Sequence, residues 1–267
     1  MIKLFISDLD GTLLPDTKII TPLAIKTIKE LKKQGKLFVI ATGRPYALYI
    51  KQLIKKLELN DNDYIIVFNG AMIYQGDNLI YSCPLTMDNI KEISSFIKDY
   101  DVNSHIFTSE SKMYIDKENQ YSTFVANTNN ITPIYQNYYT IDDDIIKFSI
   151  VGEDDVIQKV IDNIPPNFYH HYNIFRSYPF LLEIVNKKVD KYEAVKYLAS
   201  KLKINNDEIM AFGDEENDYQ MVKNVGYGIT PINGRDKLKT VAKEVCESCN
   251  DDGVIKRIIQ YLDSEEK

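Results

Sequence analysis

The chain has 267 residues, 44% of them hydrophobic, enough apolar material for a proper core, which excludes an intrinsically disordered chain or a disulfide-stapled mini-fold. A formal net charge of −7 repels a phosphate backbone and argues against DNA, RNA or an anionic membrane as the main partner, so a phosphate-bearing ligand needs local positive charge. The run Met1 to Asp8 turns acidic too early for a signal peptide, no segment has the length of a membrane span, and three unevenly placed cysteines make no disulfide framework, so the expected location is the cytoplasm.

Leu4 to Ser7 is predicted as a short buried strand, followed by a loop from Asp8 to Lys18. Thr21-Pro22 sets a capping hydroxyl and an N1 proline ahead of Ala24, Ile28 and Leu31 at helical spacing, with Gly35 as the stop. Leu37 to Ala41 reads as a strand buried on both faces, a helix follows from about Ala47 to Leu57, and Tyr64 to Phe68 is a third strand. That alternation predicts a parallel sheet covered by helices.

After Asn69-Gly70 the rhythm breaks into strands at Ala71 to Tyr74 and Leu79 to Ser82, joined by a Gly76-Asp77 turn. From Pro84 to Asn186 the pattern gives a helix (Met87 to Asp99), strands near His105 to Thr108 and Lys112 to Ile115, and a helix around Glu118 to Asn127. A polar Asn/Thr/Tyr loop, a strand Ile145 to Val151, a helix Val156 to Asn163, and strands Phe168 to Arg176 and Leu181 to Val185 complete this stretch. Strand alternation then packs one of His170 and His171 and exposes the other.

The parallel pattern resumes with Asp190 as N-cap and Glu193 as its capping-box partner, a helix to about Leu202, and a strand Ile209 to Phe212. The tail supplies a strand near Tyr227 to Ile229, a helix from about Asp236, a strand at Glu244 to Glu247, and a final helix Val254 to Leu262. The expected fold class is therefore α/β, a doubly wound parallel-sheet core at residues 1–83 and 187–267, interrupted by an α+β insert at 84–186.

The chemistry concentrates at predicted strand ends. Asp8 and Asp10, in Asp8-Leu9-Asp10-Gly11-Thr12-Leu13, stand two apart where a buried strand stops, so they converge on one centre while Gly11 permits a sharp exit. Acids forced together repel unless a cation or proton sits between them. A second acidic cluster, Gly213-Asp214-Glu215-Glu216-Asn217-Asp218, follows another buried strand, and its oxygens suit Mg²⁺. Thr42, in Ala41-Thr42-Gly43-Arg44, ends a third strand with a hydroxyl and a backbone N–H. An acidic loop alone is usually solvated surface, and Thr-Gly after a strand is usually a turn. Three such clusters at three strand ends make a site.

These motifs resemble those of the haloacid dehalogenase superfamily of phosphotransferases, and within it the Cof-like phosphatases with a type IIB cap. The matching residues are Asp8-Leu9-Asp10-Gly11-Thr12, Thr42 with Gly43-Arg44, Lys191, and Gly213-Asp214-x-x-Asn217-Asp218, with Asn69-Gly70 and Asp252-Gly253-Val254 in addition. The resemblance implies a Mg²⁺-dependent phosphatase for small phosphate esters such as sugar phosphates. It makes Asp8 the nucleophile that becomes an aspartyl-phosphate and Asp10 the general acid and base. It implies that Lys191 and Thr42 hold phosphoryl oxygens, and that Gly43, Arg44, Asn69 and Asn217 lie on the substrate side. The metal is expected on Asp8, the Asp10 carbonyl and Asp214, with Asp218 acting through water or an indirect bond. The inserted domain is expected to cap the core and set specificity. Two departures stand out: Tyr192 follows the lysine where glycine is common, and Gly228 to Asn233 replaces a small-residue run.

Other signals are weaker. Arg44 is balanced between a substrate contact and a surface ion pair. Cys246-x-x-Cys249 lacks a second pair, and the three histidines lie in the insert, so zinc is not expected. Tyr135 to Tyr139 reads as a cap loop rather than a stacking surface. Two other functions stay open beside hydrolysis: a phosphomutase on the same fold and a non-catalytic phospho-signalling protein. Oligomeric state is not encoded in any motif.

Overall fold

The computed structural model describes residues 1–265. In chain order the elements begin β1 (Leu4–Ser7), α1 (Pro22–Lys33), β2 (Leu37–Ala41), α2 (Leu48–Lys56), β3 (Tyr64–Val67), β4 (Met72–Gln75) and β5 (Asn78–Ser82). They continue with α3 (Met87–Ile97), β6 (Asn103–Thr108), β7 (Met113–Ile115), α4 (Gln120–Asn129), β8 (Pro133–Tyr135), β9 (Ile145–Val151), α5 (Asp154–Asp162), α6 (Phe168–His171), β10 (Tyr172–Tyr178) and β11 (Leu181–Asn186). The last are α7 (Lys191–Leu202), β12 (Ile209–Phe212), α8 (Tyr219–Asn224), β13 (Tyr227–Pro231), α9 (Asp236–Lys239), β14 (Glu244–Cys246) and α10 (Gly253–Glu265).

Contacts divide the chain into two compact units. The first comprises residues 1–43, 52–80 and the chain from Asp190 on; the second comprises 44–51 and 81–189. The segment 44–51, placed in the core by the sequence boundaries, thus groups with the insert.

The first unit is built on an eight-stranded sheet in the order β14-β13-β12-β1-β2-β3-β4-β5. Every residue of β1 and β12 is buried, as strands covered on both faces require. The strands from β14 to β3 pair in parallel, and β4 turns back antiparallel on β3. α1 starts where the sequence places it: Thr21 Oγ1 accepts from Ala24 N at 3.1 Å, and Ala24, Thr27, Ile28 and Leu31 are buried. From β1 the chain proceeds to β2 and β3 on one side, and from β12 to β13 and β14 on the other. The β1–β12 junction is therefore the point where strand order reverses, where sheets of this kind form a crevice at their carboxyl ends.

The second unit carries a six-stranded sheet, β10-β11-β9-β6-β7-β8, antiparallel except between β7 and β8. One face presents Ile106, Phe148, Ile150, Leu182 and Ile184 to Ile90, Ile93 and Ile97 of α3 and to Ile157 and Val160 of α5, which together form its apolar core. α3 opens with a capping box between Thr86 and Asn89.

Several expectations are corrected. Residues 168–171 form a short helix rather than the start of a strand, so His170 and His171 are both exposed and Tyr172 is the packed aromatic. Phe168 anchors that turn edge-on against Phe96, with ring centroids 5.3 Å apart. Asp190 caps α7 by accepting from Tyr192 N at 2.7 Å, but Glu193 pairs with Lys196 at 2.7 Å, so no reciprocal box forms. The polar loop contains an edge strand, β8, and α8 was not foreseen. Among the described residues no helix is long and apolar enough to cross a membrane.

Candidate active site

The site grows from the ends of β1, β2 and β12 and from the first turn of α7. Asp8 follows β1 directly, its N–H held by the Phe212 carbonyl at 2.9 Å, so the two central strands fix its backbone. Gly11 turns the chain with φ +88°, and a Cβ there would lie 2.4 Å from Asp214 Oδ2. Only glycine allows the first acidic loop to close this tightly on the second. Thr12 Oγ1 then donates to Asp214 Oδ1 at 2.5 Å, and Asn233 Nδ2 donates to the Gly11 carbonyl at 2.8 Å. Thr12 and Asn233 were not among the expected site residues. Their signal is positional, one inside the first acidic motif and the other in the stretch that departs from the small-residue run.

Lys191 enters as the first residue of α7 and is fully buried. Its Nζ donates to Asp8 Oδ1 at 2.5 Å and to Asp218 Oδ1 at 2.6 Å. Asp218 Oδ2 accepts from the N–H groups of Asp214 and Glu215 at 3.1 and 3.2 Å, so both of its oxygens are engaged. The approach of α7 depends on a second glycine: Gly70 has φ +99°, and a Cβ would stand 2.4 Å from the Asp190 carbonyl. Phe68 and Asn69, just before it, also have positive φ, 49° and 57°. Three consecutive left-handed residues aim Asn69 at the site, where its Oδ1 accepts from Asn217 Nδ2 at 2.9 Å. The other polar atom of the Asn217 amide, Oδ1, is buried and meets no protein partner.

Asp8, Asp214 and Asp218 bring carboxylate oxygens within 4.8 Å of one another, all three buried. Burial pushes the Asp8 carboxyl well above its ordinary range; Lys191 opposes this, and Asp218 and Asp214 add to it. Burial likewise raises Asp214 to about 6 against the pull of the Thr12 hydrogen bond. Burial would pull the Lys191 ammonium down, but Asp218 and Asp8 overcome it and hold it above its ordinary value. Hard oxygen donors in surplus over cations are the donor set that accepts a small divalent cation.

The remaining expected residues fall at various distances from this cluster. Thr42 is buried at the end of β2, with its N–H on the Ile66 carbonyl and its own carbonyl accepting from Asn69 N, both at 2.9 Å. Asp10 is partly exposed and faces Lys18 Nζ at 3.2 Å, so its carboxylate is outside the three-acid group. Gly43 lies against Asn69, whose Oδ1 would be 2.9 Å from a Cβ there. Arg44 belongs to the second unit, where Nη1 donates to the Thr128 carbonyl at 2.7 Å and the guanidinium lies 4.4 Å from the Tyr49 ring centre. Tyr192 is half-buried, and Lys196 Nζ lies 5.4 Å from its ring centre.

The profile of the haloacid dehalogenase-like hydrolases matches residues 5–258. The chain belongs to that family. A Streptococcus pyogenes serotype M6 protein with a provisional phosphatase name is 35% identical over 98% of both chains. A Bacillus subtilis protein named 5-amino-6-(5-phospho-D-ribitylamino)uracil phosphatase is 28% identical over 96% of each. Among solved structures, a haloacid dehalogenase-like hydrolase from Bacteroides thetaiotaomicron superimposes with a TM-score of 0.89 at 25% identity, covering 98% of this chain and 100% of that one. The protein is thus a hydrolase of this family, on the doubly wound α/β fold expected.

Proposed function

We propose that the protein is a Mg²⁺-dependent phosphatase that hydrolyses small phosphorylated metabolites, sugar phosphates or similar, through an aspartyl-phosphate on Asp8. The observation that carries this reading is the Asp8 carboxylate at the end of β1, bonded to Lys191 and grouped with Asp214 and Asp218. Asp8 attacks phosphorus as the bond to the leaving oxygen breaks, and Asp10 gives that oxygen a proton. Asp10 then takes a proton from the water that attacks the aspartyl-phosphate, releasing inorganic phosphate and restoring the Asp8 carboxylate.

Lys191 and the Thr42 hydroxyl hold the transferred phosphoryl oxygens, and Asn217, tethered to Asn69, orients the group beside them. Gly43 and Arg44 complete the substrate side. Asp8, the Asp10 carbonyl and Asp214 hold Mg²⁺, which supplies charge neutralisation and Lewis acidity when bound. Both Asp218 oxygens are already engaged, which supports an indirect role for it in metal binding. The phosphoribityl ester in the name of the Bacillus subtilis relative supports a small phosphate ester as substrate. Residues 84–186 are the inserted domain that sets specificity, residues 1–83 and 187–267 are the catalytic core, and the protein works in the cytoplasm.

Hydrolysis of an aryl phosphate with and without chelator tests the proposal. Chelated protein is expected to be inactive and to recover with Mg²⁺, and Ca²⁺, with its longer and more numerous bonds, is expected to restore little. Full turnover in chelator overturns the metal assignment.

A further inference from the structure

The two acidic loops of the site, Asp8 to Leu14 and Gly213 to Asp218, are buckled together by a turn that belongs to neither, residues 231–235. Gly234 N donates to the Pro231 carbonyl at 2.8 Å and closes this turn at the end of β13. Arg235 N then donates to the Asp214 carbonyl at 2.9 Å, and Arg235 Nε donates to Glu215 Oε2 at 2.9 Å. The turn lies against the second loop so closely that a Cβ on Gly234 would stand 3.3 Å from Asp214 Cα. All of these residues lie in the first unit.

Asn233, at the centre of the turn, reaches the first loop. Its Nδ2 donates to the Gly11 carbonyl at 2.8 Å, and its Oδ1 accepts from Cys249 N at 2.9 Å. The residue is exposed and fills no core, so its contribution lies in these two bonds to backbone. The Cys249 bond also fixes which way the amide faces: only the oxygen can meet an N–H, which leaves the NH₂ towards Gly11.

Which carbonyl is held matters. Gly11 joins two peptide planes, one carrying the Asp10 carbonyl and the other carrying the carbonyl that Asn233 holds. Glycine is the residue least able to fix its own φ and ψ, so the plane beside the Asp10 carbonyl takes its setting from outside the loop. The loop closes on itself elsewhere, where Leu13 N and Leu14 N donate to the Asp8 and Leu9 carbonyls at 3.3 and 2.8 Å. Its tip at Gly11 is tied by Asn233. One turn thus sets the spacing between the Asp10 carbonyl and Asp214, through Asn233 on one side and Arg235 N on the other.

We propose that Asn233 is a positioning residue that sets the gap between the two acidic loops to the size of Mg²⁺ and so discriminates it from Ca²⁺. This rests on the Mg²⁺ assignment above, in which the Asp10 carbonyl and Asp214 are ligands. Mg²⁺ demands oxygens at about 2.0–2.1 Å in a near-ideal octahedron, whereas Ca²⁺ accepts more ligands at about 2.3–2.6 Å in a flexible shell. A loop tip released from its anchor therefore weakens Mg²⁺ binding and leaves Ca²⁺ binding nearly as it was.

Isothermal titration calorimetry on the full, metal-stripped chain, with Mg²⁺ and with Ca²⁺, tests this without turnover. The chains are wild type, Asn233→Ala, Asn233→Asp and Asn250→Ala, each first shown to fold by its melting curve. Asn233→Asp keeps the side chain's size and the acceptor for Cys249 N but removes the donor to Gly11, and it carries the test where Asn233→Ala fails to fold. The charge it adds draws both cations alike and cancels in the ratio of their dissociation constants. The Mg²⁺ dissociation constant of Asn233→Ala is expected to rise about threefold to tenfold, the worth of one hydrogen bond. The ratio of the Ca²⁺ constant to the Mg²⁺ constant is expected to fall by a similar factor in both Asn233 variants. Asn250→Ala cuts a neighbouring tether outside both acidic loops, in which Asn250 Nδ2 donates to Asp16 Oδ2 and Asn250 Oδ1 accepts from Asp16 N, both at 2.9 Å. That structural loss is expected to lower the melting temperature and leave the ratio at its wild-type value. A wild-type ratio in a folded Asn233 variant, or an equal fall in Asn250→Ala, overturns the positioning role and leaves the Mg²⁺ reading standing. No Mg²⁺ binding by the wild type overturns the Mg²⁺ reading and the positioning role with it.

Discussion

Lys191 reconciles three acids that would otherwise repel one another, and it does so from a fully buried position with two short hydrogen bonds. On the mechanism proposed above, a phosphoryl group arriving at Asp8 would meet an ammonium already in place, at no cost of reorganisation at the moment of reaction. The two acids of the first motif are expected to separate in their effects. Asp8→Asn should abolish turnover and any base-labile phosphoenzyme. Asp10→Asn should slow turnover by roughly 10²- to 10⁴-fold, the usual worth of a positioned acid–base group, with a smaller loss for esters whose leaving groups need little protonation. Rates on a series of aryl phosphates of graded leaving-group pKa check this, and equal losses across the series for both variants contradict the division of roles. The acids and Lys191 announce themselves in sequence because charged residues beside apolar strands are conspicuous. Thr12 and Asn233 do not, because each works through a partner more than 200 residues away, at separations of 202 and 222. Nothing local to a threonine or asparagine specifies such a partner.

Helix α7 delivers Lys191 at its first residue, so the quality of its start bears directly on the site. Asp190→Ala removes the carboxylate that caps Tyr192 N, and should lower stability by about 1 kcal/mol, with kcat falling as the first turn loosens. Denaturant midpoints and initial rates on one preparation measure both. In the second unit, β6 buries His105 with a pKa lowered to about 3 from 6.5 by burial and by Lys147. The folded chain then resists a proton that the unfolded chain accepts below about pH 6.5. This group's contribution is therefore complete above pH 6.5 and is lost as pH falls towards 3. His105→Gln should flatten the acid limb of stability between pH 6 and 4 by up to one proton, roughly 1.4 kcal/mol per pH unit. Urea titrations across that range decide it, and parallel limbs for wild type and variant contradict it. The long elements were legible: four apolar residues in a row at β1, or the Thr21-Pro22 start of α1, leave little choice. α6 and α8 were not, because four or six residues are too few for a helical period to register, and at 168–171 the aromatic run reads equally as strand. Glu193 shows a different limit: a capping-box spacing permits the reciprocal bond, and a lysine three residues on can outbid it.

The doubly wound core follows from the order of its elements, because parallel strands alternating with helices and an insert between leave few topologies. What sequence order conceals is timing. β1 is a central strand with β2 on one side and β12 on the other, and β12 is synthesised only after the whole second unit. While the chain grows on a ribosome, β2 and β3 can dock on β1 at once, but its other edge, Leu4–Ser7, stays an open row of backbone donors and acceptors flanked by apolar side chains. The acidic cluster at the end of β1 shares this history, since Asp8 emerges early and Asp214, Asp218 and Lys191 late. A chain stopped at Val189 is expected to associate through that edge, seen as concentration-dependent sedimentation and fast amide exchange in β1. Slow exchange there in a monodisperse 1–189 fragment would show that β1 needs no second neighbour. The same open edge makes the interval between translating residue 7 and residue 212 the one in which a chaperone is expected to matter for β1.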